Sequence, residues 1–158
     1  INKYVGDYLS QDLVGALCTN RHSDLDIILH FQSIGRVGTK IWQNINWIRF
    51  HKNTDSVDRH KKKFEDKWEA FKICEILVNK QYFAGNKYIY LTYDTDLEKI
   101  KGNYSPKMMN EAIDEYLALN YSKKVKPLLN ARDAKGKKKY KAADAGRVAK
   151  EQIKKMYL

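Results

Sequence analysis

Nine cations crowd the C-terminal quarter of the chain, Lys123, Lys124, Lys126, Arg132, Lys135, Lys137, Lys138, Lys139 and Lys141, with Tyr121 and Tyr140 set among them. Ammonium and guanidinium groups follow phosphates, and a tyrosine ring stacks on a base or packs against a sugar, so this composition suits nucleic-acid binding that ignores base sequence. The charge is concentrated there. Of a net +11 over 158 residues, residues 121–158 hold 13 Lys and Arg against 3 Asp and Glu, a balance of +10, while residues 1–120 hold 17 against 16. Neutralising phosphates releases counterions, which makes a polyanion the simplest partner for such asymmetry. A solvated tail that aids solubility, or one that docks on an acidic protein surface, is the alternative.

The other reactive side chains form weaker patterns. Asp94, Asp96 and Glu98 cluster after a strand-like run and suit either a metal-dependent nuclease or, more simply, an acidic turn. His22, His30, His51 and His60 are spaced by 8, 21 and 9 residues, which matches no zinc pattern, so no metal site is expected. Cys18 and His22 would share a helical face if the first helix extended that far, but no Ser/His/Asp or Cys/His catalytic arrangement can be read from the chain. Cys18 and Cys74 sit on apolar helical faces with no close-spaced motif, as buried free thiols of a reducing compartment would.

Helical periodicity over Asn2 to Thr19 predicts an amphipathic helix. The apolar run Leu25 to Phe31 then reads as a strand buried on both faces, closed by Gln32. A Gly-bearing loop, a short helical patch at Lys40 to Asn44 and a second strand at Trp47 to Phe50 complete a βαβ pattern, whose ligand would lie beyond the strand ends near Gln32 and His51. Thr54 or Asp55 caps a long helix to about Lys80, striped by Val57, Phe64, Trp68, Phe71, Cys74, Leu77 and Val78. Tyr88 to Tyr93 alternates as a strand, and a turn at Thr95-Asp96 permits a hairpin returning through Lys99 to Lys101. Ser105-Pro106 starts a helix that buries Met109, Ala112, Ile113, Tyr116 and Leu117. Residues 134–141 read as a flexible basic linker before a terminal helix, Asp144 to Tyr157.

The stretch RHSDLDIILHFQSIGRVGTKIWQNINWIRFHK, Arg21 to Lys52, resembles the back half of the nucleotide-binding core in the HerA/FtsK-like division of P-loop ATPases, which includes viral genome-packaging ATPases and proteins related to zonula occludens toxin. The resemblance extends weakly to YIYLTYDTDLEKIKG and SPKMMNEAIDEYL. It implies catalytic roles for two residues: Arg21 as an arginine finger reaching a neighbouring subunit's γ-phosphate, and Gln32 as a sensor for that phosphate or the attacking water. The alternatives are an arginine at the first helix's carboxyl end and a strand-end amide that satisfies loop backbone.

No G-x-x-x-x-G-K-[ST] and no apolar strand ending in Asp-Glu occurs, so the chain holds no cofactor alone; the resemblance implies ATP and magnesium for a longer, complete protein. The expected fold class is α/β, a partial parallel sheet of P-loop type with a helical and hairpin extension and a basic C-terminal tail. The segments would be 1–53, the C-terminal portion of an ATPase core; 54–120, the helix-hairpin-helix extension; and 121–158, the basic tail with its terminal helix. The expected function is the C-terminal part of a ring-forming, DNA-translocating ATPase of the viral packaging type, with DNA, further copies of the full-length protein and a capsid or portal component as partners. A non-enzymatic nucleic-acid-binding module is the alternative, and a small nuclease the third reading. With no signal peptide and no apolar run of about 20 residues, a membrane partner is not expected and the cytoplasm, a host's if the protein is viral, is the expected compartment.

Overall fold

A computed structural model of the chain describes Gly15 and residues 28–158. Its centre is a three-stranded antiparallel sheet, β1 (Trp47–Phe50), β2 (Leu91–Asp94) and β3 (Lys99–Gly102), in the order β1-β2-β3. The expected parallel sheet of P-loop type is therefore incorrect. The reason lies in the strand itself. Along WIRF, Trp47 and Arg49 face solvent while Ile48 and Phe50 turn inward, the period-two pattern of a sheet packed on one face only, whereas parallel strands are covered on both. The described part of the first expected strand, residues 28–31, has no ladder, and Ile28 is 58% exposed. Arg21, most of the first helix and residues 25–27 lie outside the described residues.

Register places every sheet position on one of two faces. Ile48, Phe50, Leu91, Tyr93 and Ile100 point into the core. The outer face carries the rows Trp47–Asp94–Lys99 and Arg49–Thr92–Lys101. The alternation continues backwards through Tyr88 and Tyr90, with buried Ile89 between them. No ladder binds that extension. Instead Asn103 imitates a strand, accepting from the Tyr90 N–H and donating to the Tyr88 carbonyl, both at 2.8 Å.

Between β1 and β2 the chain crosses over in helical segments: a 3-10 turn at Val57–His60, α2 (Lys61–Phe64), a second 3-10 turn at Glu65–Lys67 and α3 (Trp68–Phe83). This replaces the one continuous helix that the apolar stripe predicts. In a straight helix, residues seven apart are separated by about 10 Å along the axis. Here Phe64 and Phe71 meet edge to face at 5.2 Å, and Phe71 also meets Phe50, Tyr93 and Trp42, the last on the short helix α1 (Thr39–Asn44). The interruption brings both phenylalanines into one aromatic core. Asp55 is not the cap either, because its carboxylate is taken by Ser33 and His60; Ser56 caps the first turn instead.

Helix α4 (Pro106–Leu119) begins where Ser105 Oγ accepts from the Met108 N–H, and buries the five residues its periodicity indicates. Two short helices, α5 (Tyr121–Lys124) and α6 (Lys126–Asn130), turn about buried Val125, and α7 (Ala142–Tyr157) returns with Ala145, Ala149, Ile153 and Tyr157 inward. One hydrophobic cluster runs from Ile34 to Tyr157. Among the described residues no helix is long and apolar enough to cross a membrane.

Candidate nucleic-acid interface

Residues 131–139 form a closed turn rather than a flexible linker. Arg132 and Lys138 bridge antiparallel, and the Lys139 and Asp133 N–H groups donate to Ala131 and Lys137 carbonyls, each at 2.9 Å. Inside the turn Asp133 Oδ1 accepts from the N–H groups of Lys135 and Lys137, again at 2.9 Å. Gly136 supplies the left-handed backbone, φ 75°, that a residue with a Cβ rarely adopts. The aspartate thus organises the turn that carries four lysines through their backbone.

This turn, α5, α6 and the two residues ahead of α7 surround a concavity of about 570 Å³ lined by Tyr121, Ser122, Lys126, Leu129, Asn130, Lys138, Tyr140 and Lys141. Three expected cations from separate segments therefore converge with both expected tyrosines. Tyr140 packs its ring partly against the core, and Lys139 lies 5.5 Å above that ring. Lys123, Arg132, Lys135 and Lys137 stand exposed around the same region. Lys124 is the exception, since its ammonium forms an ion pair with Glu69 on α3.

Tyr121 also borders a second concavity of about 410 Å³, shared with Arg147 and Lys150 of α7. These two belong to the same basic segment, but the list of expected binding residues ends at Lys141 and omits them. Their i, i+3 spacing, which puts both on one helical face, is the signal that could have found them. Lys150 is partly neutralised by Asp114 at 2.7 Å, and Arg147 pairs with Asp144 at 3.3 Å, so the free charge is greater on the lysine-turn side.

The remaining expected residues fall elsewhere. Gln32 is exposed in a loop ahead of a 3-10 turn, with its backbone carbonyl 3.5 Å from Thr54 Oγ1, and it lines neither concavity. In the GRVGTK loop Gly35 is closely packed: a Cβ there would lie 2.5 Å from His60 Nε2 and 2.7 Å from Asp55 Oδ2, and Lys63 Nζ donates to the Gly35 carbonyl at 2.9 Å. Such a loop does not fit the phosphates of ATP. Asp94 Oδ1 accepts from the N–H groups of Asp96 and Leu97, which are the bonds of a turn. Among the described residues no three His, Cys, Asp or Glu side chains converge as metal ligands.

Ser33, Asp55 and His60 do meet, but in an order unsuited to nucleophilic catalysis. Ser33 Oγ at 3.0 Å and His60 Nε2 at 2.5 Å share the same Asp55 oxygen, so the histidine does not stand between serine and aspartate. The His60 hydrogen bond holds the Asp55 carboxyl below its usual value, against the upward push of burial, with help from Ser33 and the Ser56 N–H. This is a clamp between two loops. Cys74 is fully buried, which pushes its thiol far above the range where it would react. No protein family, curated protein or solved structure matches this chain.

Proposed function

We propose that this protein binds nucleic acid without reading base sequence, through the C-terminal surface built around the 131–139 turn. The observation that carries this is the convergence of Lys126, Lys138 and Lys141 with Tyr121 and Tyr140 on one concavity, within a segment holding +10 of the net charge. Lysines contribute sequence-independent phosphate contacts, and the tyrosines add faces for bases or sugars. The reading as part of a ring ATPase drew its sensor and core strands from a parallel sheet, and the antiparallel sheet withdraws that support. The basic surface does not depend on it.

The test is binding of labelled DNA and RNA of unrelated sequences, measured by fluorescence anisotropy at two salt concentrations. Similar affinities for the different sequences, falling steeply with salt and weakened in the K137Q/K138Q/K139Q variant, are expected. Unchanged binding in that variant would assign the turn to a protein partner or to solubility.

A further inference from the structure

The outer face of the sheet carries a second concentration of rings and cations, far richer in aromatic surface than the lysine turn. Trp47, Arg49 and His51 follow one another at period two along β1 and its extension, and Tyr88 and Tyr90 do the same ahead of β2. Trp47 is 42% exposed and Tyr88 86% exposed. Arg49 lies across this surface, its guanidinium carbon 4.7 Å from the Tyr90 ring centre and 5.9 Å from that of Trp47, and His51 stands 6.1 Å from Tyr90. Large rings exposed on the open side of a sheet contribute nothing to the core, whose side chains project from the opposite face.

We propose that this face is a binding surface for single-stranded nucleic acid, extending the nucleic-acid reading above to a site separate from the lysine turn. Bases stack on Trp47, Tyr88 and Tyr90, and the phosphates meet Arg49 and Lys101, which share one row across the sheet. The charge fits a polyanion on that row. The acid on the face, Asp94, sits in the neighbouring row at the hairpin end, where its carboxylate is occupied by backbone N–H groups. A planar guanidinium held along aromatic rings offers a stacking plane as well as phosphate donors. A duplex is a poor occupant, because its bases are already stacked on one another and present only edges, whereas an unpaired strand offers the π-faces that exposed rings take up. The Asn103 bridge keeps Tyr88 and Tyr90 extended in line with β2, so the rings are presented by a braced segment.

The experiment uses the full chain with an oligothymidine of about 10 nucleotides and a duplex of equal length. Stacking on Trp47 quenches its emission, so the single strand lowers tryptophan fluorescence in the wild-type protein, and W47F abolishes most of that quenching while Trp42 and Trp68 remain. W47A/Y90A loses about tenfold or more in single-strand affinity with duplex affinity unchanged, and the conservative Y90F retains binding. The lysine-turn variant K137Q/K138Q/K139Q, in contrast, loses duplex binding and keeps the quenching. Absence of quenching in the wild type, quenching that persists in W47F, or equal loss of single-strand and duplex binding in W47A/Y90A overturns the proposal. Because W47F and Y90F retain ring packing, they report even if the alanine variant unfolds.

Discussion

The lysine turn and the outer sheet face meet solvent with opposite mixtures. Residues 131–141 present six cations beside Tyr140 and are organised by one local acid, Asp133. The sheet face presents three large rings with Arg49 and Lys101; a ladder backed by the protein's core sets Trp47, Arg49 and Lys101, and the Asn103 bridge holds Tyr88 and Tyr90 in line with it. The first can exist wherever a few residues of chain close a turn. The second exists only while the aromatic core beneath it is folded. Charge-rich contacts weaken steeply with salt, while ring stacking is screened far less, so the two regions should separate by salt as well as by strandedness.

The comparison is broken most forcefully from the core. Phe71 is fully buried and touches the rings of Trp42, Phe50, Phe64 and Tyr93. Phe71→Ala should cost about 3–5 kcal/mol in a denaturant titration, through diminished burial and the cavity left behind. Trp47 quenching should then fail at a lower denaturant concentration than in the wild type. The next largest effect belongs to the charge side. Removing three lysine charges in K137Q/K138Q/K139Q should flatten the plot of log affinity against log salt for duplex DNA by about 2 to 3, at roughly 0.9 for each phosphate no longer neutralised. The same plot for W47A/Y90A should keep the wild-type slope. If both variants flatten it equally, the two surfaces bind in one way and the contrast disappears.

Elements announced by local chemistry were legible in the sequence. Ser105-Pro106 marks the start of α4, and the return of β3 follows from the turn before it. Strand direction was not legible, because WIRF is four residues long and nothing in it says which neighbour it pairs with or which way that neighbour runs. The partner arrives far along the chain, in Leu91–Asp94. The continuous run at Leu25 to Phe31 invites a buried-strand reading, and short apolar runs are ambiguous for that reason. At the candidate sites, composition indicated the lysines and tyrosines, but their grouping about a concavity depends on α5 and α6 folding back around Val125. The sheet face was legible only in part: Trp47 and Arg49 share a face by alternation along one strand, but Tyr90 reaches Arg49 only once β1 pairs with β2, and Asn103 braces Tyr90 from 13 positions away.

A smaller effect separates the number of charges from their arrangement. Asp133→Ala leaves every lysine in place and removes one negative charge, so charge alone would tighten duplex binding; it also removes the acceptor of two backbone N–H groups, which weakens the turn by roughly 1 kcal/mol, and the loss of shape is expected to win. Duplex affinity should fall several-fold while the salt slope stays near its wild-type value. A slope that drops along with affinity would mean that the turn's shape decides which lysines reach phosphate.

The smallest effect concerns Asp55, which serves the sheet side as Asp133 serves the turn. Its carboxylate joins Ser33, ahead of β1, to His60, after it, and its pKa is lowered from 3.8 by the His60 hydrogen bond first of all. A carboxyl whose native pKa is depressed binds protons more weakly folded than unfolded, so its contribution to stability is complete above about pH 4 and disappears as pH falls through the lowered native value. The melting temperature of the wild type should therefore decline more steeply below pH 4 than that of Asp55→Asn, which has no carboxylate to lose. Duplex binding at neutral pH should be the same in both proteins, because the clamp lies among residues 33–60 and the lysine turn is closed by its own backbone and Asp133. A parallel decline below pH 4 would show that other carboxylates carry the acid response, and a change in duplex binding would tie the two regions together after all.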